Sequence, residues 1–152
     1  DFVVSLNVQT HIERLSPGAD VARISELFQR TTQFNTTGIK FPISELEALL
    51  REPDASVFAI RVKDRFGDNG LSGAAVIRRG EIVGLVMSCR VLGLGVEHIF
   101  IRHIVDALSG THDRLSARIV PTERNTPVRH IYRDNGFAPD GDGVWRRMLR
   151  PA

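Results

Sequence analysis

Lysine is nearly missing from this 152-residue chain, with Lys40 and Lys63 the only two, and cysteine is reduced to Cys89. A single cysteine excludes an internal disulfide and leaves no cysteine cluster for a structural zinc, so its chemistry is that of a thiol. No metal site is expected. No apolar run approaches the roughly 18 residues that span a bilayer, and Asp1-Phe2-Val3-Val4 lacks the basic start of a signal peptide. A membrane role is therefore not expected, and the cytoplasm is the expected compartment. The opening on Asp rather than Met also suits a piece of a longer polypeptide. Repeats, low-complexity tracts and Pro/Gly/Ser-rich linkers are missing as well, which favours one unit across 1–152. The basic residues are almost all arginine, and the formal net charge is only +2. Short pairs such as Arg78-Arg79 and Arg146-Arg147 have no interleaved aromatic platform, so nucleic acid is not an expected partner. Contact with an acidic partner protein stays open.

The 42% of hydrophobic residues is enough for a real core. Val8 to Arg14 suits a first strand. Asp20 then caps a helix with Val21, Ile24, Leu27 and Phe28 on one face. The polar, turn-rich stretch Thr31 to Gly38 leads to a second helix, where Ser44 and Glu47 form a capping box ahead of Leu46, Leu49 and Leu50. Val57 to Val62, Leu71 to Ile77 and Ile82 to Cys89 read as three consecutive strands, separated by Asp64–Gly70 and Arg79-Gly80 and joined by hairpins. The third is apolar almost throughout, as a central strand covered on both faces should be. Val96 to Leu108 predicts a helix that places Val96, Ile99, Phe100, His103, Ile104 and Leu108 on one face. Leu115 to Val120 is another strand. Thr126-Pro127 begins a further helix that Gly136 ends in a left-handed conformation, and Val144 to Leu149 closes the chain as a strand. The order predicts an α/β fold, a mixed central β-sheet flanked by about four helices.

Between the central strand and the next helix lies Arg90-Val91-Leu92-Gly93-Leu94-Gly95. Backbone amides there can converge on an anion at a helix N-terminus, with glycine permitting positive φ and close approach. A phosphate or pyrophosphate is the expected guest; an ordinary strand-to-helix turn has the same local pattern. The arrangement resembles the GNAT superfamily, whose R/Q-x-x-G-x-G/A turn follows the fourth strand and binds the pyrophosphate or phosphopantetheine of an acyl carrier. Pro121 to Val128 and Tyr132-x-x-x-Gly136-Phe137 resemble that superfamily's fifth strand, next helix and Gly-Phe ending. The resemblance implies a GNAT-like fold with Arg90, Val91, Leu92, Gly93 and Gly95 holding phosphopantetheine.

Cys89 directly precedes the turn. Beside Arg90 and the positive end of a helix, a thiol should be richer in the nucleophilic thiolate. Strand alternation also groups it with Val83, Leu85 and Met87, which suits a plain buried core thiol. Gln29 to Asn35, Asp64 to Leu71, Met87 to Glu97 and Pro121 to Val128 resemble successive motifs of the C-terminal domain of FkbH-like proteins. Members of that family take D-1,3-bisphosphoglycerate and load a glyceryl unit onto the phosphopantetheine thiol of an acyl carrier protein in polyketide biosynthesis. The cysteine matching Cys89 carries the acyl group as a thioester. The resemblance thus implies Cys89 as the acyl-carrying residue, the acyl carrier protein as partner, and its phosphopantetheine arm as acceptor with no permanently bound cofactor. Chemically this is coherent: an acyl phosphate is reactive enough for a thiolate to capture it, and thioester exchange onto pantetheine is nearly isoenergetic.

Asn35 and Gln33 are the matched polar residues expected to hydrogen-bond the acyl oxygen or substrate hydroxyls, although an Asx-type turn explains them as well. Thr122 and Asn125 are candidates for lining the acceptor channel, although Asn125 with Thr126 also suits preparing a helix cap. His98, close to the helix start, is the candidate proton shuttle or phosphate contact, whereas His103 on the apolar face reads as a core histidine. Tyr132 falls where many GNAT enzymes keep an acid tyrosine for a departing thiolate; packing against the sheet is the alternative. FkbH-like proteins commonly carry a preceding haloacid-dehalogenase-like phosphatase domain with DxDx(T/V) and Mg²⁺. Asp140-Gly141-Asp142-Gly143-Val144 is a glycine-rich hairpin by its setting, so that phosphatase is expected outside this chain, in cis or in trans. Two other functions stay open: a CoA-dependent N-acetyltransferase, in which an amine attacks acetyl-CoA directly, and a noncatalytic carrier-protein docking module.

Overall fold

Period-two alternation, buried on both sides, decides the architecture. In the computed structural model, which describes residues 8–149, strand β2 (Ala55–Asp64) sends Phe58, Ile60 and Val62 into one core and Val57 and Ala59 into another. The next strands, β3 (Gly67–Arg78) and β4 (Glu81–Met87), do the same, with Ala75 and Leu85 on the first side and Ala74 and Val86 on the second. Strands apolar on both faces need cover on both faces. Helices α1 (Ala22–Arg30) and α2 (Ile43–Arg51) supply Ile24, Phe28, Leu46 and Leu49 to one side. Helix α3 (Val96–Leu108) supplies Phe100, Ile101 and Ile104 to the other. With β1 (Gln9–Arg14), β5 (Arg114–Arg118), β6 (Ala138–Pro139) and β7 (Val144–Met148), the sheet has the order β1-β2-β3-β4-β5-β7-β6. All neighbours are antiparallel except β4 and β5, so the sheet is mixed and β4 is its middle strand, as its composition predicts. The leader reading of Asp1–Val4 lies outside the described residues.

Local details depart from the sequence reading where a tertiary contact outweighs a local signal. Ser44 and Glu47 form no capping box: α2 starts at Ile43, and the Pro42 carbonyl receives the Glu45 and Leu46 amides at 3.1 Å each. The start is set one turn upstream, where Phe41 stacks edge-on against Phe28 and its carbonyl accepts from Ser25 Oγ at 2.7 Å. The Asp64–Gly70 separator is mostly strand, with a turn at Arg65-Phe66 in which Asp64 Oδ1 accepts the Phe66 amide. On α3 the buried stripe includes Ile101 and Val105, while Ile99 is 46% exposed and His103 faces outward with only an edge-on approach to Phe58. The expected helix after Thr126-Pro127 is a pair of 3₁₀ turns, Thr126–Val128 and Arg133–Asn135, which Gly136 ends at φ +86° as anticipated. Arg79 and Gly80, at φ +53° and +74°, make the two-residue hairpin turn.

Gly84 is required by packing. A Cβ there would sit 2.9 Å from Phe41 Cε2 and 3.2 Å from Phe28 Cε1. Gly84→Ala is expected to cost about 1–3 kcal/mol through overpacking, read as a lowered urea midpoint with unchanged slope. An unchanged midpoint would show that the two rings repack freely.

Candidate functional site

β4 ends at Met87, two residues before the cysteine. The Ser88 amide donates to Ser72 O at 2.7 Å, and Ser88 Oγ accepts the Arg90 amide at 3.3 Å, so residues Cys89–Val91 wind into a 3₁₀ turn. Cys89 is therefore exposed and does not continue the Leu85–Met87 face, which excludes the buried-core reading of this thiol. Its Sγ lies 3.7 Å from Gln33 Oε1, the acceptor for the thiol proton.

The amides of Arg90, Val91 and Leu92 are committed inside the turn, to Ser88 Oγ, Ser88 O and Cys89 O. Val91 is buried and acts as its anchor. Gly93 and Gly95 have φ of +86° and +78°, and open space lies where a Cβ would project from either. Among the described residues their N–H groups have no acceptor. They lie beside the first-turn amides of α3, an arrangement of backbone donors that suits an anion. They fit the phosphate of a phosphopantetheine arm or of CoA; Arg90 can add its side-chain charge.

Two cavities flank the loop after α1. One, of about 350 Å³, is lined by Thr31, Thr32, Asn35, Lys40, Thr122 and Asn125 among others. The second, of about 300 Å³, lies over Cys89 between α1 and the turn, and Arg23, Glu26, Arg30 and Arg90 line it. Arg23 and Arg30 were not singled out in the sequence. Their signal was the seven-residue spacing that puts both, with Leu27, on one stripe of an amphipathic helix.

Asn35 and Asn125 reach the first cavity but use their amides on the backbone. Asn35 Oδ1 accepts from the Thr37 and Gly38 amides at 3.3 and 2.8 Å, and its Nδ2 donates to Thr31 O at 3.1 Å. Asn125 Nδ2 donates to Asn35 O at 3.1 Å and Val120 O at 2.9 Å, while Oδ1 accepts the Thr122 amide at 2.7 Å. Thr122 is exposed and its Oγ1 receives the Arg124 and Asn125 amides. The Asx-type turn noted from the sequence accounts for Asn35, whereas Asn125 precedes the Thr126–Val128 turn without a side-chain cap bond and instead joins the loop after α1 to the loop after β5. His98 is exposed, and its Nδ1 lies 2.9 Å from Asn135 Nδ2, tying the start of α3 to the second 3₁₀ turn.

Tyr132, the chain's one tyrosine, is fully buried against Phe137. Its Oη lies beside the Thr36 hydroxyl without closing a well-formed hydrogen bond. Burial drives the phenol well above its usual range; the Thr36 hydroxyl opposes this and the Glu81 carboxylate adds to it. A raised folded pKa means that stability is whole below the unfolded pKa, about 10, and is lost as pH climbs toward the folded value. Tyrosinate absorbance should accordingly appear only as the chain unfolds in alkali, and Tyr132→Phe should remove that part of the alkaline loss. Absorbance rising near pH 10 with native circular dichroism intact would contradict this.

Asp140–Gly143 forms the β6–β7 turn, with Gly141 and Gly143 at positive φ. Among the described residues no group of three or more His, Cys, Asp or Glu is placed to hold a metal, and no helix is long and apolar enough to cross a membrane.

The mixed sheet, the strand–turn–helix unit at 81–108 and the covering helices define the GNAT acetyltransferase fold. A GNAT-family acetyltransferase from Streptococcus pneumoniae shares it at a TM-score of 0.68 and 16% identity, over 93% of this chain and 99% of that one. The ribosomal-protein-S18-alanine N-acetyltransferase of Escherichia coli matches at 0.65 and 13%, over 95% and 96%. A spermidine N-acetyltransferase from Vibrio cholerae, in complex with CoA and spermine, matches at 0.59 and 18%, over 91% and 93%. No family model and no curated protein sequence matches the chain.

Proposed function

We propose that the chain is an acyltransferase domain that holds a short, glyceryl-type acyl group on Cys89 and passes it to the phosphopantetheine thiol of an acyl carrier protein, as the resemblance to FkbH-like proteins implies. The observation that carries the reading is an exposed thiol at the lip of a turn with two free amides. In the first step the Cys89 thiolate attacks the acyl carbonyl of an acyl phosphate and phosphate leaves. In the second the pantetheine thiolate attacks the thioester and the Cys89 thiolate leaves. Gln33, accepting from Sγ, would orient the thiol. The phosphatase domain of such proteins belongs to a separate domain or chain.

A second reading, a CoA-dependent N-acetyltransferase, draws support from the named activities of the fold's solved relatives. On fold alone it is the better supported of the two. There Tyr132 stands at the position the resemblance gives to an acid, but burial makes its phenol a weaker acid and it lines neither cavity, so this reading needs another group to protonate a departing thiolate. Intact-mass measurement after incubation with a glyceryl thioester decides between them. A hydroxylamine-labile adduct is expected under the first reading, and an unmodified chain that acetylates amines from acetyl-CoA would establish the second.

A further inference from the structure

β4 and β5 pair at only two registers, Glu81↔Ser116 and Ile82↔Ala117, and then part. Diverging edges leave N–H and C=O groups that an extended, amide-bearing ligand can pair with. In this chain the gap is filled from within. The Met87 amide donates to Phe34 O at 3.0 Å, the Thr36 amide donates to Leu85 O at 3.1 Å, and the Leu85 amide donates to Thr36 Oγ1 at 3.1 Å. Thr37 Oγ1 donates to Val83 O at 3.0 Å. From the far side the Val120 amide reaches Thr36 O at 2.8 Å. Phe34, Asn35 and Thr36 are buried. An arm entering between the strands would have to break these bonds and expose Phe34.

Outside the sheet nothing has to move. The Cys89 thiol opens onto the groove beneath α1, where Arg23, Arg30 and Arg90 face one carboxylate, Glu26, itself paired with Arg30 at 2.6 Å. Three guanidinium groups against one carboxylate favour an anion. We infer that a phosphate-bearing thiol arm reaches Cys89 over the outer surface, guided along the Arg23–Arg30–Arg90 groove that meets the Gly93–Gly95 turn at Arg90, while Phe34–Thr37 stays in the gap. This deepens the acyl-transfer reading and rests on it for the identity of the arm.

The test needs no acyl chemistry. In disulfide exchange the Cys89 thiolate attacks a symmetrical disulfide, forming a mixed disulfide and releasing the other half as a thiolate. Rates followed by intact mass are compared for CoA disulfide, 4′-phosphopantetheine disulfide and uncharged pantethine. In wild type both phosphate-bearing reagents should react about tenfold faster than pantethine, an advantage lost in about 1 M salt and in Arg23→Glu/Arg30→Glu. A faster reaction with CoA disulfide alone would assign the arginines to the nucleotide and overturn the proposal. Equal rates for all three in wild type would overturn it as well. Hydrogen exchange across Phe34–Thr37 should be the same in the phosphopantetheine adduct as in the free chain; lost protection there would place the arm in the gap. The salt series on wild type reads the charge effect without relying on the folding of the double variant. Failure of Cys89 to accept a glyceryl group leaves these rates untouched, so the two readings fail separately.

Discussion

Cys89→Ala is expected to gain no mass from a glyceryl thioester and to transfer glyceryl to a carrier protein at least about 10³-fold more slowly than wild type, with its fold unchanged. The size follows from removing a covalent nucleophile: the reaction then has to proceed in one direct step, and single deletions of such groups cost several powers of ten. The fold should be indifferent, because the side chain is exposed and its one polar contact among the described residues is the long one to Gln33. An enzyme that moves acetyl directly from CoA to an amine uses no thiol, and the same variant should then retain activity within about threefold. Retained glyceryl transfer would sink the thioester assignment and leave the turn intact as a phosphate site.

Much of this site was legible because its signals are local. Gly93 and Gly95 announce positive φ, the apolar strand before them announces a central position, and both hold. The capping box at Ser44 failed because Phe41, packed against Phe28, fixes where α2 begins. Cys89 was placed on a strand face because alternation has no built-in stop; Ser88, by turning to cap the Arg90 amide, supplies it. The stretch from Thr31 to Gly38 was the least legible. Its threonines, glutamine and asparagine read as a polar, turn-rich connection, yet Phe34, Asn35 and Thr36 are buried. Their partners, Leu85, Met87, Val120 and Asn125, are distant in sequence, and no local pattern marks a chain segment that borrows the edge of a strand formed much later.

Asn125→Ala should be the most destabilising of the polar substitutions at the site, by about 2–5 kcal/mol, a large part of the 5–15 kcal/mol typical of a domain. One buried amide joins three backbone groups, Asn35 O, Val120 O and the Thr122 amide, and so ties the loop after α1 to the loop after β5. Removing it leaves two carbonyls and one N–H without that partner, and the cost of unpaired buried groups outweighs the cavity of a small side chain. Asn125→Asp separates this from simple loss of volume. Its carboxylate keeps the acceptor for the Thr122 amide but points negative charge at two carbonyl oxygens. Burial and the two carbonyls should raise its folded pKa, with the Arg129 guanidinium, whose Nε lies 3.4 Å from the same oxygen, opposing them, so the variant would be most damaged at neutral pH and would recover toward wild type as acid protonates the carboxyl. Urea titrations of the three proteins across pH measure this directly. If Asn125→Asp were no less stable than Asn125→Ala at neutral pH, the two carbonyls would not be aimed at the amide as described, and the clamp between the two loops would have to be sought elsewhere.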